Sequence, residues 1–399
     1  MSRLRIAMKR TVTALALTGL AVTAITGCSA DKPVTESTAT GTPIKIGVVV
    51  ALSNTAVPGS AAVEGFKAWA AAVNGKGGLQ GHPVEIIVQD DGNDPAKSLT
   101  AVKQLVEGDS VVALTSWTSN EASWSGYVEE KKIPVIGGSS YAPIWQSSPD
   151  FFPVQSTLQT ALLAQPVMAK NADATSLGNF YAAEMSSAVE ALGFKEDIAR
   201  QVGIDGSFNA AISSSQPDYT AACLSAKKAG VDAMSLSGVP AERVAPGCAQ
   251  QDFNPLWVLP GETVTDTLQK VPALANLLAP QFSFPFFLDV PQTADYRAAM
   301  KKDYRGPADA MFSPLTSSAW MAGLVYENVL DNIGVRENIT SADFFEGLYK
   351  VKDLTADGLL LNLSYSPDDT QRIVKCFWET GLDEGDWIVT KGIEATCTP

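Results

Sequence analysis

The stretch IKIGVVVAL, residues 44–52, decides the fold of this 399-residue chain. Its β-branched residues follow one another without polar alternation, which is typical of a strand covered on both faces. Apolar residues then recur at helical spacing from Val63 to Val73, and Gly77-Gly78 favours a helix end there. A buried strand followed by an amphipathic helix predicts the first unit of a parallel sheet.

The same alternation continues as far as residue 136. VEIIVQ (84–89), VVAL (111–114) and IPVI (133–136) are three further predicted strands. Asp94-Pro95 begins the helix after the first of these, because aspartate can cap free N–H groups and proline suits the first helical turn. Strands that alternate with helices need crossover connections, so the pattern predicts an α/β fold with a parallel sheet and helices on both of its faces.

Beyond about residue 152 the alternation is weaker but continues. We predict helices over 158–170, 181–192 and 217–229, strands over 232–238, 255–261, 358–366 and 374–378, a crossing segment over 285–291, and a helical return over about 293–350. A chain of this length exceeds one ordinary hydrophobic core, so two lobes are expected.

The N-terminal segment has the composition of an export signal. Four basic residues lie within the first ten, an apolar run covers 11–24, and Ile25-Thr26-Gly27-Cys28 follows. This order is typical of a secretory signal, and the cysteine directly after small residues resembles a bacterial lipobox. We expect residues 1–27 to be a lipoprotein signal peptide and Cys28 to carry lipid, which places the protein outside the cytoplasm. An uncleaved transmembrane helix is the alternative, at the short end of what spans a bilayer.

The amino-acid composition of the chain limits which classes of partner it can bind. Residues 28–43 are rich in Ser, Thr and Pro and poor in large apolar side chains, which predicts a flexible tether. The whole chain has 29 basic and 43 acidic residues, a net charge of −14. This balance argues against nucleic acid, whose phosphates need clustered Lys and Arg. No later stretch approaches twenty uninterrupted apolar residues, so the body is expected to be soluble and attached to the membrane only through Cys28.

Five cysteines are present, and one of them is assigned to lipid. The remaining four are an even number in an exported protein, which favours two disulfides. Four cysteines allow three connectivities. We favour the two local pairs, Cys223–Cys248 and Cys376–Cys397, because they lie in two separate stretches, and each would add about 3–4 kcal/mol in the loop-entropy model.

Several stretches together resemble the branched-chain amino-acid-type solute-binding proteins of ABC importers. They are IKIGVVVALSN, GGLQGHPVEIIVQDDGNDPAKSLTAVKQLVE, KKIPVIGGSSYAP, DYTAACLSAKKAGVDAMSL and GLLLNLSYSPDD. The resemblance implies a type I periplasmic binding fold, with two doubly wound parallel-sheet lobes joined by a three-strand hinge. Lobe 1 would then be 44–157 plus 288–357, and lobe 2 would be 158–287 plus 358–399.

Candidate ligand-binding residues lie where predicted strands end, which is where open parallel sheets bind ligands. The loops after the third and fourth strands offer hydroxyls and backbone N–H groups that suit a carboxylate or carbonyl. In the family these loops hold the carboxylate and amino group of a bound amino acid. Ordinary helix capping is the alternative role for each hydroxyl. The candidates in these two loops are Trp117, Thr118, Ser119, Ser139, Ser140 and Tyr141.

Two further candidates belong to the predicted second lobe. Tyr181 is predicted to begin a helix at a place where the family often has an aromatic over the ligand, and Glu262 follows a strand where some relatives hold an ammonium group. Ser53 and Asn54, after the first strand, are weaker candidates. Tyr141 departs from the family pattern, which indicates a solute other than a branched-chain amino acid.

We therefore expect an extracytoplasmic receptor that captures a small polar solute by hinge closure and delivers it to an ABC transporter permease. A ligand-sensing lobe for a signalling partner is an alternative. An envelope enzyme is a weaker one, because the single histidine, His82, precedes every plausible serine nucleophile and lies in a turn that we expect to be exposed. No cofactor or metal is expected, since Asp90, Asp91 and Asp94 lack the acid that completes a calcium loop.

Overall fold

A computed structural model describes residues 39–53, 59–184, 195–261, 266–369 and 371–398. The predicted signal peptide, Cys28 and most of the predicted tether are outside these ranges. Within them, no helix combines the length and the apolar character needed to cross a bilayer.

Lobe 1 is built on a five-stranded parallel sheet in the order β2-β1-β3-β4-β5. The first strand, Ile44–Val50, is central and buried on both faces, as its sequence predicts. Val48 and Val50 lie in a hydrophobic cluster with α1 and α11, whereas Val49 lies in a second cluster on the opposite face of the sheet. The elements up to the end of this sheet are β1 Ile44–Val50, α1 Ser60–Gly75, β2 Val84–Asp90, α2 Pro95–Lys103, β3 Ala113–Trp117, α3 Ser125–Lys131, β4 Val135–Gly138, α4 Ile144–Ser147 and β5 Phe151–Phe152.

Lobe 2 repeats this design with a four-stranded parallel sheet in the order β7-β6-β8-β9. Helices again cover both faces, since α5 and α6 share one cluster and α7 and α8 share another. The elements are α5 Leu158–Asn171, β6 Leu177–Ala182, α6 with its described part at 195–202, β7 Asn209–Ile212, α7 Thr220–Ala229, β8 Ala233–Ser237, α8 Ala241–Ala249, β9 Leu256–Trp257, α9 Asp266–Gln269 and β10 Leu278–Gln281.

The last part of the chain completes both lobes. Helix α11 packs on α1 in lobe 1, and β11 pairs antiparallel with β10 in lobe 2. Two hydrogen bonds join the chain around the start of α5 to the chain around the start of β11: Ser156 Oγ donates to Cys376 O (2.5 Å) and Thr160 Oγ1 to Val374 O (2.6 Å). The remaining elements are α10 Ala294–Asp303, α11 Pro314–Ile333, α12 Ser341–Leu348, β11 Cys376–Asp383, β12 Asp386–Val389 and β13 Thr396–Cys397.

Both disulfides of the structure are local. Cys223 is joined to Cys248 between α7 and α8, and Cys376 to Cys397 between β11 and β13. These are the two pairs that the sequence separation favours. The first disulfide joins two helices on one face of the lobe 2 sheet. The second holds the end of the chain against β11.

Two predicted elements are wrong in type. Tyr181 does not begin a helix but is the fifth residue of β6. Residues 358–366 form no strand, because left-handed backbone at Gly358 and Asn362 breaks the extended run. The side chains of Leu359–Leu361 pack in lobe 1's core instead, so we place the third crossing after Val374 rather than at residue 358. His82 is also buried rather than exposed.

Candidate functional site

The carboxyl ends of β3 and β4 lie side by side at one edge of the lobe 1 sheet, with Ser116 paired to Gly138. Strand β3 extends through Trp117, later than the sequence predicts, because threonine and tryptophan fit a buried pleated sheet well. Thr118 and Ser119 are therefore the first residues after β3, and Ser139 to Tyr141 are the first after β4. Five of the six lobe 1 candidates thus follow neighbouring strand ends, and the sixth ends a strand.

A buried carboxylate organises the loop after β3. Asp91 accepts hydrogen bonds from Thr118 Oγ1, from Asn120 Nδ2 (3.2 Å) and from the backbone N–H of Asn93 (2.8 Å). The Thr118 hydroxyl is thus occupied by the protein, while Ser119 is exposed at the edge. Of the two hydroxyls, Ser119 is the one whose surroundings leave room for a solute.

The loop after β4 contains a buried hydroxyl without a partner. Ser140 is fully buried, and its Oγ has no hydrogen bond among the described residues. The backbone N–H of Ser139 donates to Ser116 O (2.9 Å), which fixes the loop on β3. A buried hydroxyl left unpaired costs about 1–3 kcal/mol, so Ser140 marks a place where a solute oxygen or a water would be stabilised.

The two aromatic candidates of lobe 1 differ in role. Trp117 is buried in lobe 1's core, edge-on to Phe66 at 5.8 Å between ring centroids, so it does not form a wall at the surface. Its indole N–H has no partner among the described residues. Tyr141 is half-buried and packs edge-on to Phe282, against the α5 and α6 cluster of lobe 2. Tyr141 therefore reaches from the lobe 1 loop to lobe 2.

The loops after β1 and β2 are joined by a second carboxylate. Asp90 accepts from Ser53 Oγ (2.5 Å) and from the backbone N–H of Leu52 and Gly92 (2.9 Å each). The Ser53 bond is the main cause of the lowered pKa of Asp90. Asp94 caps α2 by accepting hydrogen bonds from the N–H groups of Ala96 and Lys97. Asp90 therefore holds a loop, and Asp94 caps a helix.

A buried acid lies behind the lobe 1 edge. Glu121 is fully buried, and its Oε1 accepts from Ser116 Oγ (3.1 Å) and from the indole N–H of Trp145 (3.3 Å). Its other oxygen has no partner among the described residues. Burial raises the pKa of Glu121 to about 7, and the nearby charge of Asp91 adds to this.

Glu121→Gln is expected to stabilise the protein at pH 8 but not at pH 5. The folded state holds this proton up to about pH 7, above the ordinary glutamate pKa, so the carboxyl favours folding at low pH and loses that effect as the pH rises through 7. Glutamine lacks this dependence. Urea unfolding measures the free energy of unfolding of both proteins. The value for the variant minus the value for the parent should be about 2–3 kcal/mol larger at pH 8 than at pH 5.

The matched control is Glu130→Gln, which changes an exposed carboxyl on α3 and should alter stability little at either pH. A Glu121→Gln variant whose stability relative to the parent is the same at pH 5 and pH 8 would contradict the assignment.

At the edge of lobe 2, Tyr181 is paired in register with Ser237, the last residue of β8. Both side chains are half-buried. Lys195, on α6, lies beside them with its Nζ 3.3 Å from Ser237 Oγ. Nothing in the local sequence pattern around Lys195 and Ser237 predicts that a lysine is buried at a strand end. Glu262 and Asn54 lie outside the described residues.

Two α/β lobes with hydroxyl-bearing loops at their strand ends, joined by three crossings, are the architecture of a two-lobed binding protein. A family model described as periplasmic binding protein matches residues 43–386. The chain belongs to this family. A search of curated protein sequences gave no significant match.

Solved structures confirm the type I periplasmic binding fold. A branched-chain amino acid ABC transporter protein from Thermus thermophilus with bound valine has a TM-score of 0.68 at 15% identity, over 90% of this chain and 98% of that one. A possible leucine/isoleucine/valine-binding protein from Rhodopirellula baltica has a TM-score of 0.66 at 18% identity, over 90% of this chain and 98% of that one. A fatty acid ABC transporter substrate-binding protein from Thermomonospora curvata has a TM-score of 0.64 at 18% identity, over 90% of this chain and 93% of that one.

Proposed function

We propose that this protein is a lipid-anchored solute-binding protein of the cell envelope, which captures a small polar solute by hinge closure and delivers it to the permease of an ABC importer. The observation that carries the proposal is the lobe 1 edge, where Ser119, Ser139 and Ser140, whose hydroxyl has no partner within the described part of the chain, follow adjacent strands. Similar structures are named for amino acids and for fatty acids, which supports a small solute without identifying it.

Hinge closure supplies the mechanism. A solute can shift the balance between open and closed forms only through contacts that it makes better in the closed form. The hydroxyls and backbone N–H groups of lobe 1 would bind it first, and lobe 2 would add contacts from its own strand ends. Tyr141, which packs toward lobe 2 through Phe282, is suited to couple occupancy of the site to closure. The permease would then recognise the closed form.

We propose no enzymatic activity. The only histidine of the chain, His82, has both ring nitrogens on backbone carbonyls, Nδ1 at 2.7 Å from Thr42 O and Nε2 at 2.9 Å from Arg336 O. It therefore serves to hold the start of β1 against lobe 1's C-terminal helices. Among the described residues, no group of three or more His, Cys, Asp or Glu side chains is arranged to hold a metal ion.

Ser139→Ala and Tyr141→Ala are expected to weaken solute binding at least tenfold with little loss of stability, because both side chains are only half-buried at the site. A thermal-shift screen of amino acids, amides, urea and aliphatic and aromatic acids would supply the probe, and calorimetry with each hit would measure affinity. Ser147→Ala, on the exposed side of α4, is the control. Unchanged affinity in both site variants would reject the site assignment, and a screen without hits would reject the function.

The lipid anchor has a separate test. Cys28→Ala should abolish lipidation, because the lipid is attached through the cysteine thiol, and should move the protein from the membrane fraction to the soluble fraction. Ser29→Ala should remain with the membrane. If the Cys28→Ala protein still sedimented fully with membranes, the anchor would be wrong while the solute-binding proposal would stand.

A further inference from the structure

A buried lysine lies at the carboxyl edge of the lobe 2 sheet. Lys195 is only 6% exposed. Its ammonium nitrogen lies 3.2 Å from Ser235 Oγ, 3.3 Å from Ser237 Oγ and 3.4 Å from Asn179 Oδ1. Three neutral oxygens thus surround a group that normally carries a positive charge.

No carboxylate in the described part of the chain forms an ion pair with Lys195. The adjacent acid, Glu196, is turned away and accepts from Asn209 Nδ2 at 2.5 Å. The three contacts of Lys195 are also longer than the roughly 2.7–2.9 Å of charge-assisted hydrogen bonds. Burial lowers the pKa of Lys195 to about 8, so at neutral pH the ammonium is mostly charged. A buried charge without a counter-ion is costly.

The polar groups around Lys195 lie on one face of the sheet and become more accessible toward its edge. Asn179 pairs with Ser235 in the interior, and Tyr181 pairs with Ser237 two residues further along. The inner pair is buried and the outer pair is half-buried. The outer pair lies at the strand ends, where open parallel sheets bind their ligands.

We infer that Lys195 and Ser237 form the lobe 2 half of an anion site, and that the solute of this protein is an organic carboxylate. The inference rests on the proposed function, because it assigns the solute class of that same binding site. A carboxylate at Ser237 would neutralise the ammonium and accept a stronger hydrogen bond than the hydroxyls do. Since lobe 1 alone cannot offer this contact, it would favour the closed form.

The test compares acids with their uncharged amides. Thermal shift and calorimetry are carried out on the full chain with leucine and leucinamide, hexanoate and hexanamide, and benzoate and benzamide. We expect at least one acid to bind, and its amide to bind at least tenfold more weakly. Lys195→Met should reduce the affinity for that acid about 30-fold or more and remove the difference between acid and amide. Lys195→Arg should retain part of the difference between acid and amide. Ser237→Ala should bind the acid about three- to tenfold more weakly than the parent.

Lys228→Met, which changes an exposed lysine on α7, is the control and should bind the acid as the parent does. Lys195→Met removes an unpaired buried charge, so its melting temperature should not fall. Should it fail to fold, the Arg and Ser237→Ala variants decide the question through the same acid-to-amide ratio.

The outcomes separate this inference from the proposed function. If amides bind as well as or better than the acids, or if Lys195→Met binds the acid with parental affinity, the carboxylate site is wrong and the solute-binding function stands. If no acid of the panel binds while another solute of the wider thermal-shift screen does, the carboxylate site is wrong; if neither the panel nor the wider screen gives a ligand, the proposed function falls and this inference falls with it.

Discussion

Gly138→Ala is expected to lower the free energy of unfolding by more than about 3 kcal/mol. Gly138 ends β4 with φ at +119°, a region that alanine enters only with strain. A Cβ at this position would lie 1.7 Å from the carbonyl oxygen of Ser116. That oxygen also accepts from the Ser139 N–H, so the change would separate β4 from β3 where the candidate site begins. Urea unfolding followed by circular dichroism measures the loss.

Gly126→Ala is the matched control. Gly126 lies in α3 of the same lobe, and an added Cβ would meet no atom within 4 Å. Alanine is the better helix former, so stability should be unchanged or rise by up to about 1 kcal/mol. Equal stability of Gly138→Ala and the parent would show that the β3–β4 contact is not built as the structure has it.

Arg372→Met is expected to lower the free energy of unfolding by about 3–4 kcal/mol. Arg372 is buried beside the third crossing, and its Nη1 donates to the carbonyls of Ser148 (2.9 Å), Pro149 (2.6 Å) and Phe151 (3.2 Å). The guanidinium carbon lies 4.4 Å from the ring centroid of Phe152. Methionine retains the apolar stem but leaves these carbonyls without donors. Thermal and urea unfolding both report the change.

Arg297→Met provides the comparison, since Arg297 also stacks on an aromatic ring, Phe312, at 4.8 Å. Among the described residues its guanidinium makes one long carbonyl contact, to Leu288 at 3.4 Å, and one ion pair with the exposed Asp289 at 3.4 Å, and it lies nearer the surface. A loss below about 1 kcal/mol is expected there. If the two variants lost the same stability, the carbonyl contacts of Arg372 would not hold the crossing.

The fold of lobe 1 could be predicted because its strands are long apolar runs that are covered on both faces. Residues 44–50 form β1 as expected, since Val48 and Val49 each enter a different cluster. The sequence predicts a helix at Tyr181 because the Ala-, Glu- and Met-containing segment after it favours one. The strand that contains it, β6, has six residues, and its partner strands are more than twenty residues away in sequence. Only tertiary pairing identifies it.

The candidate site could be predicted in part, for a similar reason. The loops after β3 and β4 follow from the order of the elements alone, and the structure places them side by side. Burial is not a local property, so the sequence gives no sign that Trp117 belongs to the core or that Glu121 and Lys195 lose contact with water. Charged residues in a helical segment are ordinarily exposed, so the sequence pattern around these two residues predicts the opposite of what the structure has.

The threading of the chain has a consequence for secretion. The apolar face of α1 is covered by α11, where Phe66 contacts Tyr326. In lobe 2, β10 pairs with β11, which begins only at Cys376. Neither core can therefore close until nearly the whole polypeptide has been made, and such distant contacts form slowly. For an exported chain this order leaves the polypeptide without a complete core until its last segment has been made. It also makes truncation near the C-terminus costly to both lobes.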